Sequence, residues 1–467
     1  MFEHLQDIQL HDSEPVAKAM ECISRNIALT GGYGIVLVLD DDERLIGVIT
    51  DGDIRRALVG GHTLNSTLDT VMNKNPVTTT HKGSYHQLLR LFERGIRHVP
   101  VVDKDRHVID LILYSELGPG PSSVGTMLRA KAPVRISFAG GGTDMTPVIE
   151  KNKGAVISAT INRYCYAELI LRDDSKIVLS SRDFNQQVVF RSLKDIQYDG
   201  NLDILKAAVK ISKPDFGFEI YTSSDVPPGS GLGASSSLTV AIIGLIEYIR
   251  TGQIDEYRIA DLAFQSERVE LQIRGGWQDQ YAAVFGGLNY IEFDRDGVVV
   301  HPLRLKDSIR YELESNLVLC FTNLTRNSGE IHKETVQNLQ NESTRDAAEY
   351  AAMLDLVEDV RRALLTGDLF KFGQLLDQAW QLKKAMNVGI TNPEIDRLYN
   401  LAKEAGALGG KLLGAGNGGY LMFYCTPLRK HEIQKVLQDT GVAALTFNLD
   451  PKGLRIWPSQ KMPDSAI

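Results

Sequence analysis

Between residue 126 and about residue 330 the chain mixes two hydrophobic rhythms. Ala155-Val-Ile-Ser-Ala-Thr-Ile161 and Tyr164-Cys-Tyr-Ala-Glu-Leu-Ile-Leu171 predict two strands, both rich in β-branched or aromatic residues. Leu238 to Ile249 predicts an apolar helix, and Ile259 to Arg274 a second helix stopped by Gly275-Gly276. From about 331 onward the pattern is mostly helical, over 342–365, 369–386 and 392–405. The apolar run Tyr420-Leu-Met-Phe-Tyr424 then predicts a strand, with a last helix from about Leu428. The mixture predicts an α/β (α+β) multidomain protein.

The first 118 residues carry an internal repeat. Ile35-Val-Leu-Val-Leu-Asp-Asp-Asp-Glu-Arg-Leu-Ile-Gly-Val-Ile-Thr50 recurs as Val99-Pro-Val-Val-Asp-Lys-Asp-Arg-His-Val-Ile-Asp-Leu-Ile-Leu113, with Asp40 matching Asp103 and Gly47 matching Asp110. Each copy predicts a strand, a polar turn and a second strand, followed by a helix-like segment. Two copies imply a pseudo-symmetric pair around one shared core, too few for a solenoid. Gly118-Pro-Gly-Pro-Ser-Ser-Val-Gly125 can extend neither helix nor strand and predicts a linker.

Composition narrows the class. A length of 467 residues predicts two or three domains, and 43% hydrophobic with 24% charged residues fits a soluble globular chain. A net charge of −8 argues against a general nucleic-acid or anionic-membrane binder. Cys22, Cys165, Cys320 and Cys425 lie far apart with no Cys-x-x-Cys pair, which fits free thiols in a reducing compartment. The N-terminus lacks a secretory pattern, and the longest apolar stretch, Leu238 to Ile246, is too short to span a membrane. A cytoplasmic location is the plain expectation.

Three glycine-rich segments carry the candidate chemistry. In Asp225-Val-Pro-Pro-Gly-Ser-Gly-Leu-Gly-Ala-Ser-Ser-Ser237, Gly229, Gly231 and Gly233 alternate just before the predicted helix. Such a turn lets backbone approach a ligand closely and aims a helix N-terminus at it, which suits phosphate. A plain glycine-rich turn is the competing reading. The segment lacks the Gly-Lys-Ser/Thr of a Walker loop, and its third glycine comes one position too early for a dinucleotide fingerprint. Ala132 to Asp144 runs a strand into Gly140-Gly141-Gly142 and ends in a carboxylate. Gly409 to Gly419 contains Gly414, Gly416 and Gly419 in G-x-G-x-x-G spacing, but a strand follows instead of a helix.

In order and spacing these segments resemble the GHMP kinases, over roughly 126 to 467. The wording is closest to the D-glycero-D-manno-heptose 7-phosphate kinases, through Arg135 to Asp144, Asp225 to Ser237, Gly275 to Gly287 and Phe321 to Arg326. The resemblance implies an N-terminal ATP-binding domain over 126–330 and a C-terminal domain over 331–467. It implies ATP as co-substrate, cradled by Pro228, Gly229, Ser230, Gly231, Leu232, Gly233, Ala234, Ser235 and Ser236. Mg²⁺, a hard cation that prefers oxygen ligands, falls to Ser235 and Glu267. Asp279 becomes the group that takes the proton from the attacking hydroxyl, and Arg135 the cation that favours its ionised form. The bland alternatives are a solvated helix face for Glu267, a helix cap for Asp279 and a buried salt-bridge partner for Arg135. Galactokinases carry a Glu-His pair where this chain has Gly141-Gly142, which suggests a larger or more anionic sugar. Gly141, Gly142, Thr143, Asp144, Gln278 and Gly416 are the implied sugar contacts, with Arg326 and Lys411 as candidates to hold a sugar phosphate. Kinases for fucose or galactose, or a nucleotide sensor with an inactive kinase half, are the alternatives.

The repeat resembles a CBS-domain pair over 1–118, joined by a linker at 119–125. In Gly47-Val-Ile-Thr-Asp-Gly-Asp-Ile54, Thr50 and Asp53 match the residues that hold the ribose of an adenine nucleotide. A helix cap is the competing reading for Asp53. The second copy has Leu113 for the threonine, Glu116 for the aspartate and Asp110 for the glycine, so at most one site is intact. His98 reads as scaffold. CBS pairs often associate, which adds a homo-oligomer to the expected partners. A surface-polysaccharide pathway is the role the kinase resemblance suggests.

Overall fold

The computed structural model describes residues 4–27, 29–30, 34–80, 91–92, 96–113, 127–324, 344–386 and 388–459. The chain divides into two units, Met1–Gly120 and Pro121–Ile467. The expected linker at 119–125 and the expected boundary near 330 lie outside the described residues.

In the first unit, β1 (Gln9–His11) runs parallel to β2 (Ile35–Leu39), which forms a hairpin with β3 (Leu45–Thr50). The second copy of the repeat forms the matching hairpin from β4 (His98–Val102) and β5 (Val108–Leu113), pairing Val99 with Ile112 as Val36 pairs with Ile49. The hairpins meet where the Leu45 N–H donates to the Arg106 carbonyl at 2.9 Å. Ile35, Leu37, Leu45 and Val48 pack with Val102, Leu111 and Leu113 in one cluster, the shared core expected of a repeat. Helices α1 (Val16–Asn26) and α2 (Asp51–Val59) bury Ile23 and Ile54 beside Val36 and Ile49.

The second unit is built on β6 (Met127–Ala139) and β7 (Gly154–Leu171), which pair antiparallel along their length. The sequence predicts two strands over 155–171; the structure has one. Asn162-Arg163 fails to break it because residues 448–450 continue the pairing, with the Asn162 N–H donating to the Asn448 carbonyl and the Asp450 N–H to the Thr160 carbonyl. Beside β7 lie β10 (Phe218–Ser224) and β11 (Leu288–Asp294); β8 (Ile177–Ser181) and β9 (Gln186–Phe190) extend one side, β12 (Gly297–Pro302) the other. The apolar helices α3 (Asp203–Ser212), α4 (Ala234–Thr251), α5 (Glu256–Phe264) and α6 (Gln278–Phe285) contribute to the core against this sheet. A second sheet orders β14 (Ala407–Leu412), β15 (Tyr420–Cys425), β13 (Leu317–Phe321) and β16 (Ala444–Leu445). Helices α7 (Thr344–Thr366), α8 (Leu369–Met386), α9 (Pro393–Glu404) and α10 (Lys430–Gln438) accompany it.

The helix expected over 259–274 ends early. After Phe264 the chain widens into a π-helical turn, Gln265–Glu270, closed by the Leu271 N–H on the Ser266 carbonyl. It then leaves helical geometry at Gln272, whose φ is 54°. Such turns re-aim side chains at functional sites, and this one buries Glu267 against α4.

Burial along β6 shows where two cores meet. Its first half alternates, with Leu128, Ala130 and Ala132 facing the cluster under α4. Its second half is buried on both faces, as Val134, Ile136 and Phe138 join a cluster with α7 and α8. Phe138 is fully buried and meets the Phe372 ring edge-on at 5.2 Å between centroids. Phe138→Ala removes that anchor and should lower stability by roughly 3–5 kcal/mol. A denaturant midpoint unchanged from the parent protein would show that the two cores do not depend on it.

Candidate active site

The glycine loop before α4 takes its shape from residues 229–233. Gly229, Gly231 and Gly233 have φ of 71°, 78° and 75°, the left-handed region in which a Cβ is strained. At Gly231 close approach adds a second demand, since a Cβ there would stand 2.7 Å from the Leu413 carbonyl oxygen. That oxygen belongs to the turn between β14 and β15, and the Tyr420 N–H of the same segment donates to the Ser230 carbonyl at 3.0 Å. The first and third glycine motifs thus lock backbone to backbone. Helix α4 starts at Ala234 with no side-chain cap, so its first N–H groups face a cleft of about 1650 Å³, measured out to its open mouth.

Arg135 enters this cleft from β6, between register shifts at Pro133 and at Ser137. A bulge of this kind redirects a side chain out of the regular pleat. The guanidinium is 5% exposed, and its Nε and Nη2 both reach Asp279 Oδ1, at 2.9 and 2.7 Å. Its Nη1 donates to the Gly231 carbonyl at 2.6 Å, and the Arg135 N–H to the Leu232 carbonyl at 3.0 Å. Among the described residues Asp279 Oδ2 accepts no hydrogen bond, and it lies toward Gly233, where a Cβ would come within 3.3 Å of it. One carboxylate oxygen is held, and the other is left for a ligand.

Glu267 is 1% exposed, not on a solvated face. It accepts from Ser235 Oγ at 3.0 Å, Ser236 Oγ at 2.8 Å, Thr239 Oγ1 at 3.2 Å and Gln280 Nε2 at 2.6 Å, and Arg268 lies 3.3 Å away. Ser235 is exposed at the helix start. Its proton goes to Glu267, which leaves its oxygen lone pairs directed elsewhere.

Asp144 is 2% exposed and accepts from the Gly142 N–H, the Gln278 N–H and Gln278 Nε2 at 3.0 to 3.2 Å. Burial pushes its carboxyl above the usual range, against the pull of the Gly142 hydrogen bond. A Cβ on Gly276 would stand 1.8 Å from Asp144 Oδ2, so glycine is required there.

Most residues expected at the site line the same cleft: Gly141, Gly142, Asp144, Gln278, Lys411 and Gly416 face Gly229, Ser230, Gly231, Gly233, Ala234, Ser235 and Ser236 across it. Three expected contacts do not. Thr143 is fully buried, its hydroxyl donating to the Gly140 and Ala155 carbonyls and accepting from the Ala155 N–H. The Leu232 side chain is fully buried in the core and Pro228 is exposed outside the cleft. The Thr143 expectation is corrected on that ground, and for Leu232 and Pro228 only backbone groups remain relevant. Arg326 lies outside the described residues.

Lys411 is 3% exposed and its Nζ donates to the Phe138 carbonyl at 3.2 Å, so it is no surface charge. Lys383, on α8, also lines the cleft and was not predicted. It sits beside Lys384 near a helix C-terminus, where two lysines read as plain complement to the dipole. Gln280 and Thr239 carried no signal either, because their role depends on the burial of Glu267.

In the first unit, Thr50 caps α2 in a reciprocal box. Its N–H and Oγ1 donate to Asp53 Oδ2 at 2.9 and 2.6 Å, while Arg56 pairs with Oδ1. Both residues line a pocket with Asn73, Arg97 and His98. His98 Nε2 hydrogen-bonds the Thr30 carbonyl at 3.1 Å, as befits a scaffold residue.

Comparisons with known proteins give the family. Residues 202–287 match the GHMP kinases N terminal domain, residues 360–443 the GHMP kinases C terminal domain, and residues 6–60 and 68–117 the CBS domain. The chain is 38% identical over 336 residues to a D-glycero-alpha-D-manno-heptose 7-phosphate kinase of Campylobacter jejuni, covering 71% of this chain and 98% of that protein. It is 29% identical to an L-fucokinase/L-fucose-1-P guanylyltransferase of Bacteroides fragilis, covering 70% of this chain and 38% of that protein. The crystal structure of a D-glycero-D-manno-heptose 1-phosphate kinase from Bacteroides thetaiotaomicron superposes with a TM-score of 0.59 at 30% identity, covering 72% of this chain and all of that one. No helix among the described residues is long and apolar enough to cross a membrane. The cleft and its three glycine segments therefore belong to a phosphotransferase that acts on a hydroxyl group: the chain is a member of the GHMP kinases, with a pair of CBS domains ahead of its kinase part.

Proposed function

We propose that the protein transfers the terminal phosphoryl group of ATP to the anomeric hydroxyl of D-glycero-D-manno-heptose 7-phosphate, giving the 1,7-bisphosphate. The observation that carries this reading is the Arg135–Asp279 pair at the mouth of the glycine loop, with one aspartate oxygen uncommitted. In-line phosphoryl transfer needs a nucleotide cradle, a positioned hydroxyl and stabilised charge. Residues 229–236 form the cradle in this reading, through glycine backbone N–H groups and the buried Ser230 hydroxyl, which has no hydrogen-bond partner among the described residues. Asp279 takes the acceptor proton on Oδ2, and Arg135 holds Oδ1 and keeps the carboxylate turned toward the loop. Asp144, fixed by Gly142 and Gln278, binds sugar hydroxyls beside it.

The donor set fits Mg²⁺. Mg²⁺ keeps waters and phosphate oxygens as most of its ligands, so the hydroxyl oxygen of Ser235 at the start of α4 is a donor of the kind it takes. Ser235 offers oxygen lone pairs, and Glu267 acts through Ser235 because its own oxygens already serve five donors. The ion would neutralise charge on the triphosphate.

Gly141 and Gly142, which line the cleft without side chains, leave room that supports a larger acceptor than galactose or fucose. The test is a panel of sugars with and without a terminal phosphate, read by mass-resolved products. Heptose 7-phosphate should be preferred by at least tenfold; equal rates for galactose or fucose would move the assignment to those kinases. Asp279→Asn keeps the shape but removes the proton acceptor, so kcat should fall by two or more orders of magnitude with folding intact. Near-parent turnover would take Asp279 out of the chemistry.

For the CBS pair we propose adenine-nucleotide binding at Thr50 and Asp53 in the first copy. A ribose would compete with the box and with Arg56 for the Asp53 oxygens. Asp53→Ala should weaken AMP or ATP binding to the pair at least tenfold by calorimetry, with the kinase site saturated by a non-hydrolysable nucleotide. Unaltered affinity would leave Asp53 as a cap alone.

A further inference from the structure

Two lysines, Lys383 and Lys411, line the cleft together with Arg135. Lys383 Nζ donates to the Gly414 carbonyl at 2.7 Å and Lys411 Nζ to the Phe138 carbonyl at 3.2 Å, and neither forms an ion pair with a described residue. They come from different elements, α8 and β14, yet both line the cleft that Arg135 enters. Burial, with Arg135 adding to it, pulls the Lys383 ammonium down to about 8; burial, with Lys383 adding to it, pulls Lys411 well below the usual lysine range. Of the carboxylates in the cleft, Asp144 acts on Lys383 through its charge, but neither it nor Asp279 forms an ion pair with Lys383 or Lys411. Asp279 is held by Arg135, and Asp144 by Gly142 and Gln278. An anion entering between Lys411, which is buried, and the partly buried Lys383 would favour the charged form of both. Carbonyl oxygens of Gly414 and Phe138 each use one donor of an ammonium that has three, which leaves donors for the cleft.

We propose that Lys383 and Lys411 together bind a tetrahedral phosphoryl group in the cleft. Two sources share that chemistry: the phosphate already on the acceptor sugar, and the terminal phosphoryl of ATP. The choice between them rests on the kinase reading above, whereas phosphate binding itself does not. Lys383 has a further consequence, because its bond to Gly414 ties α8 to the turn that packs on Gly231. An anion at this point would therefore draw three elements of the site together.

The test uses the full-length protein and the variants Lys383→Met, Lys383→Arg and Lys411→Met. Inorganic phosphate should raise the thermal midpoint of the parent protein and of Lys383→Arg, and should fail to do so in Lys383→Met. Equal protection of the parent and both methionine variants would overturn the proposal. Unliganded melting checks that each variant folds, and Lys411→Met supplies the answer if Lys383→Met does not. Kinetics then separate the sources. A KM raised at least tenfold in Lys383→Met for heptose 7-phosphate, and raised much less for unphosphorylated heptose, assigns the lysines to the acceptor's phosphate. A kcat lowered at least tenfold on both acceptors assigns them to the transferred group. Parent-like KM and kcat on both would again overturn it. If the parent protein ignores heptose 7-phosphate, the proposed substrate fails while the phosphate-protection result still decides the clamp.

Discussion

One guanidinium holds the site together. Arg135 reaches Asp279 on α6, the Gly231 carbonyl in the glycine loop and, through its own backbone, the Leu232 carbonyl. A charge buried this deeply is strongly destabilising unless every donor is answered. The answers here come from two other segments of the chain, so the ion pair forms only when both have folded against β6. That requirement fixes the distance between the proposed proton acceptor and the proposed nucleotide cradle. It also explains the bulged register of β6, since a regular pleat would aim the residue into one of the two cores flanking the strand.

The glycines matter for a different reason. A loop with three left-handed residues in alternation has little to hold it in isolation, because glycine loses more freedom on ordering than other residues. The opposite turn supplies the restraint, through the Tyr420 N–H on the Ser230 carbonyl and the close contact of Gly231 with Leu413 and Gly414. Neither contact leaves room for a Cβ on Gly231 or Gly414. The two motifs, about 180 residues apart in sequence, are thus one structural object. The Glu267 cage completes it: four neutral donors and Arg268 converge on a buried carboxylate, and the hydroxyls they include line the start of α4.

Much of this was legible in the sequence, and the exceptions share a cause. Alternation and helical spacing located α8, α9 and β15 to within a residue or two, because those elements bury one face or are wholly apolar. Local pattern failed at β7, where the partner that carries the strand through Asn162 comes from residues 448–450. It failed again at Gln265–Glu270, since a π-turn inside a helical pattern leaves the period almost unchanged. At the site, glycine and serine motifs marked the cleft because their spacing is tied to backbone shape. Thr143 misled, for its hydroxyl serves the same turn from behind. Lys383 was invisible: a helix-end lysine beside another lysine looks solvated, and Lys384 does pair with Asp396 at 3.7 Å.

The charges of the cleft are best understood by what each leaves unused. Asp279 offers one oxygen, Ser235 its lone pairs, and Lys383 and Lys411 their remaining N–H donors; Glu267 offers nothing, being fully engaged. The cleft therefore presents hydrogen-bond acceptors and hydrogen-bond donors together. A ligand that meets both carries a hydroxyl proton to give up and negative oxygens to be held. A neutral sugar alone satisfies only the first demand. On the proposed reading, a phosphorylated sugar, or a sugar together with the terminal phosphoryl of ATP, satisfies both, because an anion between Lys383, Lys411 and Arg135 favours their charged forms.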